Sequence, residues 1–567
     1  MDRPLIVHVV EPDDAQSAEL VAALTATRAA VLPPGPLRRT DRLRLSTARA
    51  VVAHGESTAG TARLIAAALH RPWIARDCRS TQGSAVRLTS GPADAGARRI
   101  APAIRLQPPP TARDGVVHLD GDADALELEV PPQIVVASAG ASSLDLLRAQ
   151  ERGCVVIALP GSDAQAVVAP GLPPAADDDA AQAIARDLVD DPDRLASLSR
   201  QARAHVVLHH ELGSVAADLD TVLRAVAGGA PVPAIAQSRT TLPRVTVLMP
   251  TFRRKALLSR ALAAIAAQTY PAELVQVVVV DNGSGDDSAE PARAIAEVVT
   301  LPENAYVPDA RNAALGRADG EIVAFTDDDC RPEPTWLECL VAGFRDGVGL
   351  VQGQTRPDPA QPFPPLARSQ STPCEFGLYE TANIAYSRAA LGLDSGVPAF
   401  RSDLPAELTA TFGDRFRRDP FGEDTDLGWR VRRGPFTTRF AVTATVHHEV
   451  FPPDLDYLLR RARVSAGFPL MVKRVPELRR TFLTGGVALG RHRIGIWLAL
   501  LGTLHALITR RPRALALVLP WLWVRARPLS PGGRRARIKA LPAYLKVDLV
   551  ESAALAEGSV RARNVVL

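Results

Sequence analysis

The chain has almost no lysine. Of its 567 residues only Lys255, Lys473, Lys539 and Lys546 are lysines, and arginine supplies the rest of the 66 basic side chains. With the wealth of Ala, Val and Pro this describes coding bias, not function. Cysteine is also scarce. Cys78, Cys154, Cys330, Cys339 and Cys374 stand far apart with no CxxC pair. That argues against a disulfide framework or a cysteine zinc site and fits a reducing compartment. An apolar leader is missing too, because MDRPLIVHVVEPDD turns acidic too soon for a signal peptide. No fixed-period repeat is visible. One stretch nearly lacks acid: from Leu458 to Lys546 nineteen Lys and Arg face a single Glu477, about +18 in a chain of net +4, which leaves about −14 elsewhere. Such segregation points one end at an anionic surface, read here as a membrane, with no nucleic-acid partner expected.

What is present is globular. Hydrophobic residues make up 47% and charged residues 23%, and the length calls for about three to four structural units. Residues 1–228 alternate apolar runs (LIVHVV, AVVAHG, IVVASAG, CVVIALPG) with Ala-rich helical stretches, the rhythm of a parallel α/β sheet. A Pro/Gly/Ser-rich linker covers 229–243. A second βα series occupies 244–455, and 456–567 is helical, basic and apolar.

The second series holds the chemistry. VTVLMP (245–250) is a buried-type strand stopping at Pro250, followed by a helix in LLSRALAAIAAQ. VQVVVVD (275–281) ends at Asp281, and EIVAFTDDD (321–329) ends at three adjacent aspartates. Taken alone, Asp327–Asp329 is either a solvated turn or a cation site. The carboxyl ends of parallel strands are where α/β sheets bind ligands, so Asp281 and the triplet should share one sheet edge. Several carboxylates there can hold a hard divalent cation, which would neutralise a departing diphosphate.

PTFRR…LLSRAL…QTYP, VVVVDNGS, ARNAALGRADGEIVAFTDDD and FGEDTDLGWRVRR, in that order over about 210 residues, resemble glycosyltransferase family 2. The resemblance implies a GT-A nucleotide-diphospho-sugar transferase domain, inversion of the transferred sugar, and Mg²⁺ or Mn²⁺. It implies that Pro250, Thr251, Phe252, Asp281 and Arg311 line the nucleotide site and that Asn383 belongs to the donor pocket. The triplet fills the family's DxD position. Asp329 is then the metal ligand, Asp327 lies on the ribose side and near the metal, and Asp328 is a further donor contact. Asp424, in the Glu423-Asp424 pair, matches the general base, and Trp429 and Arg430 would shape the acceptor side. A third metal ligand is offered by His447 or, better aligned, His448; a structural histidine pair is the other reading. Arg253 and Asn282 depart mildly from the family's pattern. The stretch 392–416 is either an acceptor loop or a surface insertion.

Two flanking resemblances complete the picture. LDLLRAQERGCVVIALPG and ADDDAAQAIARDLVDDPDRLASLSRQARAHV are similar to the nucleotide-binding half of GT-B glycosyltransferases. The two glutamates of active members correspond to Gly140 and Arg148, so 1–228 is expected to be a Rossmann-like domain without catalysis. In the C-terminal part, 494–508 and 514–524 are apolar but shorter than the roughly 20 residues that span a bilayer. Helices lying in the interface, with Trp497, Trp521 and Trp523 at headgroup level and arginines on anionic lipid, suit them; the alternative is that they pack on the catalytic domain. The expected function is sugar transfer from a nucleotide-sugar (UDP-, GDP- or dTDP-linked) to a glycan or lipid-linked acceptor. The setting would be cell-envelope synthesis at the cytoplasmic face of the plasma membrane. A non-catalytic scaffold would have lost the DxD or ED carboxylates, and a nucleotidyltransferase would carry a Gly-rich loop where PTFRRKALL has none.

Overall fold

The computed structural model describes most residues from 143 onward, apart from 161–167, 172–174, 228–229, 231–237, 306, 396–398, 402, 413–421 and 528–533. Before 143 it describes the strands named here and residues 106–107. Gly140 and most of the expected linker lie outside the described residues.

The N-terminal region holds two all-parallel sheets, as its βαβ rhythm requires. β1 (Leu5–Val9), β2 (Ala29–Leu32), β3 (Ala48–His54), β4 (Trp73–Arg76), β5 (Val86–Thr89) and β6 (Ala97–Arg99) run in the order β2-β1-β3-β4-β5-β6. β7 (Val116–Leu119), β8 (Ile134–Ala137) and β9 (Val155–Ala158) form a second, smaller sheet. IVVA of β8 and VVIA of β9 are buried at every position, the pattern of strands covered on both faces.

The third sheet is mixed. β10 (Val245–Thr251), β11 (Val275–Asp281), β12 (Glu297–Thr300), β13 (Ile322–Thr326), β14 (Cys330–Pro332), β15 (Val348–Pro357), β16 (Asn383–Ser387) and β17 (Thr437–His448) lie in the order β12-β11-β10-β13-β16-β15-β17-β14. The first four in this order are mutually parallel. β16 pairs antiparallel to β13, and β14 antiparallel to β17. The expected α/β fold is therefore present, with helices on both sides of this sheet.

The helices Pro192–His210 and Leu212–Ala227 pack against this third sheet, not away from it. Val206 and Val207 share a core cluster with Val245 and Trp336. Arg203 places Nε and Nη2 each 2.7 Å from the Glu338 carboxylate, across 135 residues of sequence. The first of these helices therefore shares a core with the third sheet.

The C-terminal helices Leu455–Val464, Phe468–Arg474 and Leu541–Ala562 close the opposite side. Leu555 and Val566 join Leu248, Phe325 and Tyr386 in a second core, so the chain's end belongs to the same module. Between them stands a helical hairpin, Arg491–Thr509 and Pro512–Ala526. Gly502 lets its arms touch: a Cβ there would lie 2.5 Å from the Ala514 carbonyl oxygen.

Candidate functional site

Register places the site. Thr251, the last residue of β10, is the partner of Asp281, the last of β11, and β13 ends beside them at Thr326. The chain then turns sharply at each strand end. Asp281 accepts a hydrogen bond from the Ser284 amide at 3.0 Å. Gly283 takes φ +72°, and a Cβ there would meet the Glu303 backbone at 2.2 Å, so no side chain fits. Arg253, the departure from the family's pattern, has φ 54° and ties itself to Ser284 through its amide and its Nε, both at 3.0 Å. Pro250, Thr251, Phe252 and Asp281 thus form one rim of the sheet edge.

The triplet's carboxylates are not equivalent. Asp328 is buried; Thr251 donates to it at 2.7 Å and Arg254 at 3.0 Å. Burial pushes its pKa up to about 6. It braces the strand ends and does not line the cavity. Asp327 and Asp329 do, in a cavity of about 540 Å³. Burial raises the Asp327 carboxyl, and Arg311, 3.9 Å away, pulls against that. Asp329 receives Arg254 at 2.9 Å.

The pairing of β14 with β17 sets Cys330 opposite His448. His448 Nε2 is then 3.5 Å from Asp329 Oδ1. Its Nδ1 lies 2.8 Å from the Glu449 carbonyl oxygen and 3.4 Å from the Gln370 amide nitrogen, which leaves Nε2 facing Asp329. Asp329, Cys330 and His448 are close enough together to ligate one ion. Burial raises the Cys330 thiol well above its ordinary pKa, and Cys330 does not line the cavity as Asp329 and His448 do. The donor set is therefore carboxylate plus imidazole, which suits Mg²⁺ or Mn²⁺ better than a thiolate-seeking metal. His447 faces elsewhere, its Nε2 3.0 Å from Glu333.

The opposite wall comes from the first turn of the helix Glu423–Arg433, entered through Gly422 at φ 87°. Glu423 is committed to Arg311 at 2.8 Å, with both side chains under one-tenth exposed. Asp424 opens onto the cavity. Burial pushes its carboxyl well above the usual range, the Glu423 and Glu380 carboxylates add to this, and Arg311 opposes it.

Besides Asp328 and the rim residues Pro250, Thr251, Phe252 and Asp281, three further expected residues do not line the cavity: Asn383, Trp429 and Arg430. Asn383 is buried and fully bonded: Trp336 donates to it at 2.8 Å, and it donates to the Gln354 and Ala444 carbonyls at 3.0 and 2.8 Å. It locks three strands and a helix together; its neighbours Thr381 and Ala382 line the cavity instead. Trp429 is buried, donating to the Gly377 carbonyl at 2.8 Å. Arg430 pairs with Asp426 at 2.8 Å. Both lie more than one turn beyond Asp424, on faces directed into the protein. The expected acceptor-side role of Trp429 and Arg430 and donor-pocket role of Asn383 find no support in the lining of this cavity.

Other residues do line the cavity without having been singled out by sequence. Glu380, accepting from Gln352 at 3.1 Å, has its pKa raised to about 7 by burial. Arg254, Arg368, Phe451, Tyr457 and Arg461 form the remaining wall. Only PTFRR carried a motif-level signal, for Arg254.

Residues 246–390 match the profile described as Glycosyl transferase family 2. A glycosyltransferase of Haloferax volcanii, AglE, is 37% identical over 121 residues, 20% of this chain and 40% of that protein. An N-acetylglucosaminyltransferase of Rhizobium meliloti is 33% identical over 240 residues, 39% of this chain and 55% of that protein. A mannosyltransferase of Pyrobaculum calidifontis, solved with GDP-Man and Mn²⁺, aligns at 20% identity over 57% of this chain and 88% of its own, with a TM-score of 0.33. The matches span about half the length of the curated relatives.

Proposed function

We propose, from the match of residues 246–390 to glycosyl transferase family 2, that the chain transfers a sugar from a nucleotide-sugar to an acceptor hydroxyl with inversion, using a divalent metal. The observation that carries the reading is convergence. Asp327 and Asp329 from one strand end, His448 from the last strand and Asp424 from a helix start line one cavity, though they are up to 121 residues apart in sequence.

The chain's own residues divide the work. Asp329 and His448 would hold the metal, with Asp327 beside them. A bound Mg²⁺ or Mn²⁺ supplies charge stabilisation for the departing diphosphate. Arg311, fixed by Glu423, presents further positive charge on the Asp327 side. Asp424 takes the proton of the acceptor hydroxyl as its oxygen attacks the anomeric carbon. A single displacement by that oxygen inverts the centre. Glu380 sets the electrostatic environment of Asp424.

The same reading puts the enzyme at an anionic membrane face in envelope glycan synthesis. The hairpin supports it: Leu504, Leu507 and Ile508 are more than half exposed, next to Arg510, Arg511 and Arg513. The test is a screen of the purified chain for metal-dependent hydrolysis or transfer across UDP-, GDP- and dTDP-sugars. Activity that is absent in D329A and D424N supports the proposal; normal turnover in both overturns it.

A further inference from the structure

The cavity has a wall that the transfer chemistry does not use. The Arg368 guanidinium is stacked between two rings, 4.0 Å from the Phe451 centroid and 3.9 Å from that of Tyr457. Its backbone is pinned by a reciprocal pair of hydrogen bonds with Phe451, at 3.1 and 2.9 Å. Among the described residues no carboxylate pairs with Arg368, and its Nε is buried with no hydrogen-bond partner. A guanidinium held flat between aromatic faces keeps its fork of donors free at the edge, the geometry that takes a phosphate. Arg461, also without an ion-pair partner among the described residues, lines the same cavity from the helix Leu455–Val464.

The surroundings are apolar. Leu458, Phe468 and Met471 lie beside the two arginines. A second cavity of about 240 Å³ shares Leu458, Arg461 and Phe468 with the first and runs on to Val547 and Glu551 of the tail helix. Glu551 is already taken by Arg493 and by Ser465, the latter at 2.8 Å, so it does not neutralise Arg461. Arg461 lines both cavities, whereas Asp327 and Asp329 line only the first. The wall thus runs from Phe451, which meets His448 and Arg254 at the metal end, through Arg368 to Arg461 and the second cavity.

We infer that Arg368 and Arg461 form a subsite for the phosphate of an amphiphilic acceptor, an alkyl or prenyl phosphate, whose chain follows Leu458 and Phe468 toward the tail helix. This rests on the transferase reading, in which the cavity also admits an acceptor beside Asp424. The phosphate gains the free guanidinium donors, and the chain gains an apolar path that a free sugar would not use.

Equilibrium dialysis of the full chain against radiolabelled farnesyl phosphate and farnesol, without metal or nucleotide, tests it. Farnesyl phosphate should bind at least tenfold more tightly than farnesol. R368Q and R461Q should each erase most of that preference; R461Q is on an exposed residue and reports even if R368Q folds poorly. Equal binding of the two probes, or an unchanged preference in both variants, overturns the subsite. L504E/L507E should keep the preference, because a preference lost there but kept in R368Q and R461Q would place the phosphate on the hairpin and overturn the assignment. D424N should also keep it. If D424N turns over sugar-nucleotides normally while the preference persists, the transfer mechanism falls and the subsite stands.

Discussion

Arg311 and Glu423, 112 residues apart, meet in a buried ion pair of 2.8 Å. Arg311 comes from the helix Val307–Leu315 packed on β10 and β11, and Glu423 opens the helix whose next residue is Asp424. One contact therefore joins the two halves of the cavity and sets how far Asp424 stands from the aspartate triplet.

Removing one member should cost more than removing both. A lone buried charge is destabilising by about 3–5 kcal/mol, while a well-packed apolar pair is often near neutral. E423Q should therefore lower unfolding free energy by about 3 kcal/mol in urea melts, and R311M/E423L should recover most of it. A cost below about 1 kcal/mol for E423Q would show that the pair does not organise the site.

Asp424 sets the acid limb of the rate profile. A base works deprotonated, and burial raises its carboxyl, so kcat should fall as pH drops through a value well above 4. Glu380 adds to that rise, so in E380Q the limb should move to lower pH. A limb that stays put would remove Glu380 from the Asp424 environment. Stability should run the other way. A carboxyl whose folded pKa is raised penalises the folded state once it ionises, so stability falls as pH climbs from the unfolded value through the folded one. D424N should thus abolish transfer, a loss of about 10²–10⁴, while melting no lower than the parent at pH 8.

The metal reading separates three neighbours. Mn²⁺ titrated by electron paramagnetic resonance should bind the parent and lose at least tenfold in affinity in D329A and in H448A. C330S should bind as the parent does, because Cys330 lies outside the cavity lining. Tight binding that survives D329A, or that fails in C330S, would sink this donor set.

Much of this was legible in the chain. Buried strands ending in Pro250, Asp281 and the triplet fixed one sheet edge, because polar groups after apolar parallel strands can lie nowhere else. His448 was within reach of reasoning only as one of two options; the β14–β17 register, which no local pattern encodes, turns it and not His447 toward Asp329. Asn383, Trp429 and Arg430 stand outside the cavity lining for a common reason. Proximity in sequence to a motif says nothing about which way a side chain faces, and one helical turn redirects it. Arg368 and Tyr457 were invisible, since their stacking joins segments 89 residues apart.

The hairpin was also only partly readable. The helix runs Arg491–Thr509, and its stretch His492–Thr509 is long and apolar enough to cross a membrane by length and composition, longer than the apolar run in the sequence implied. Only 28% of that stretch is buried. Its base is tied down: Asp548, fully buried, accepts from Trp521 at 2.8 Å and from Arg525 at 2.9 Å, and pairs with Arg493 at 3.5 Å. What projects is Leu500–Thr509, ten residues or about 15 Å of helix. Inserted end-on, that length would put Arg510, Arg511 and Arg513 near the bilayer centre, where arginine is costly. Exposed Leu500, Leu501, Leu504, Leu507 and Ile508 fall within one face at helical spacing. The helix should therefore lie in the interface, leucines inward and arginines on lipid phosphate. In co-sedimentation the full chain should bind phosphatidylcholine vesicles containing 30 mol% (about one-third) phosphatidylglycerol, several-fold better than phosphatidylcholine alone at about 0.1 M salt, and weaken at about 0.5 M salt as the charges are screened. L504E/L507E should remove binding to both. If the parent ignores anionic vesicles, or forms a dimer that the same substitution dissolves, the leucine face is a protein contact and the membrane assignment fails.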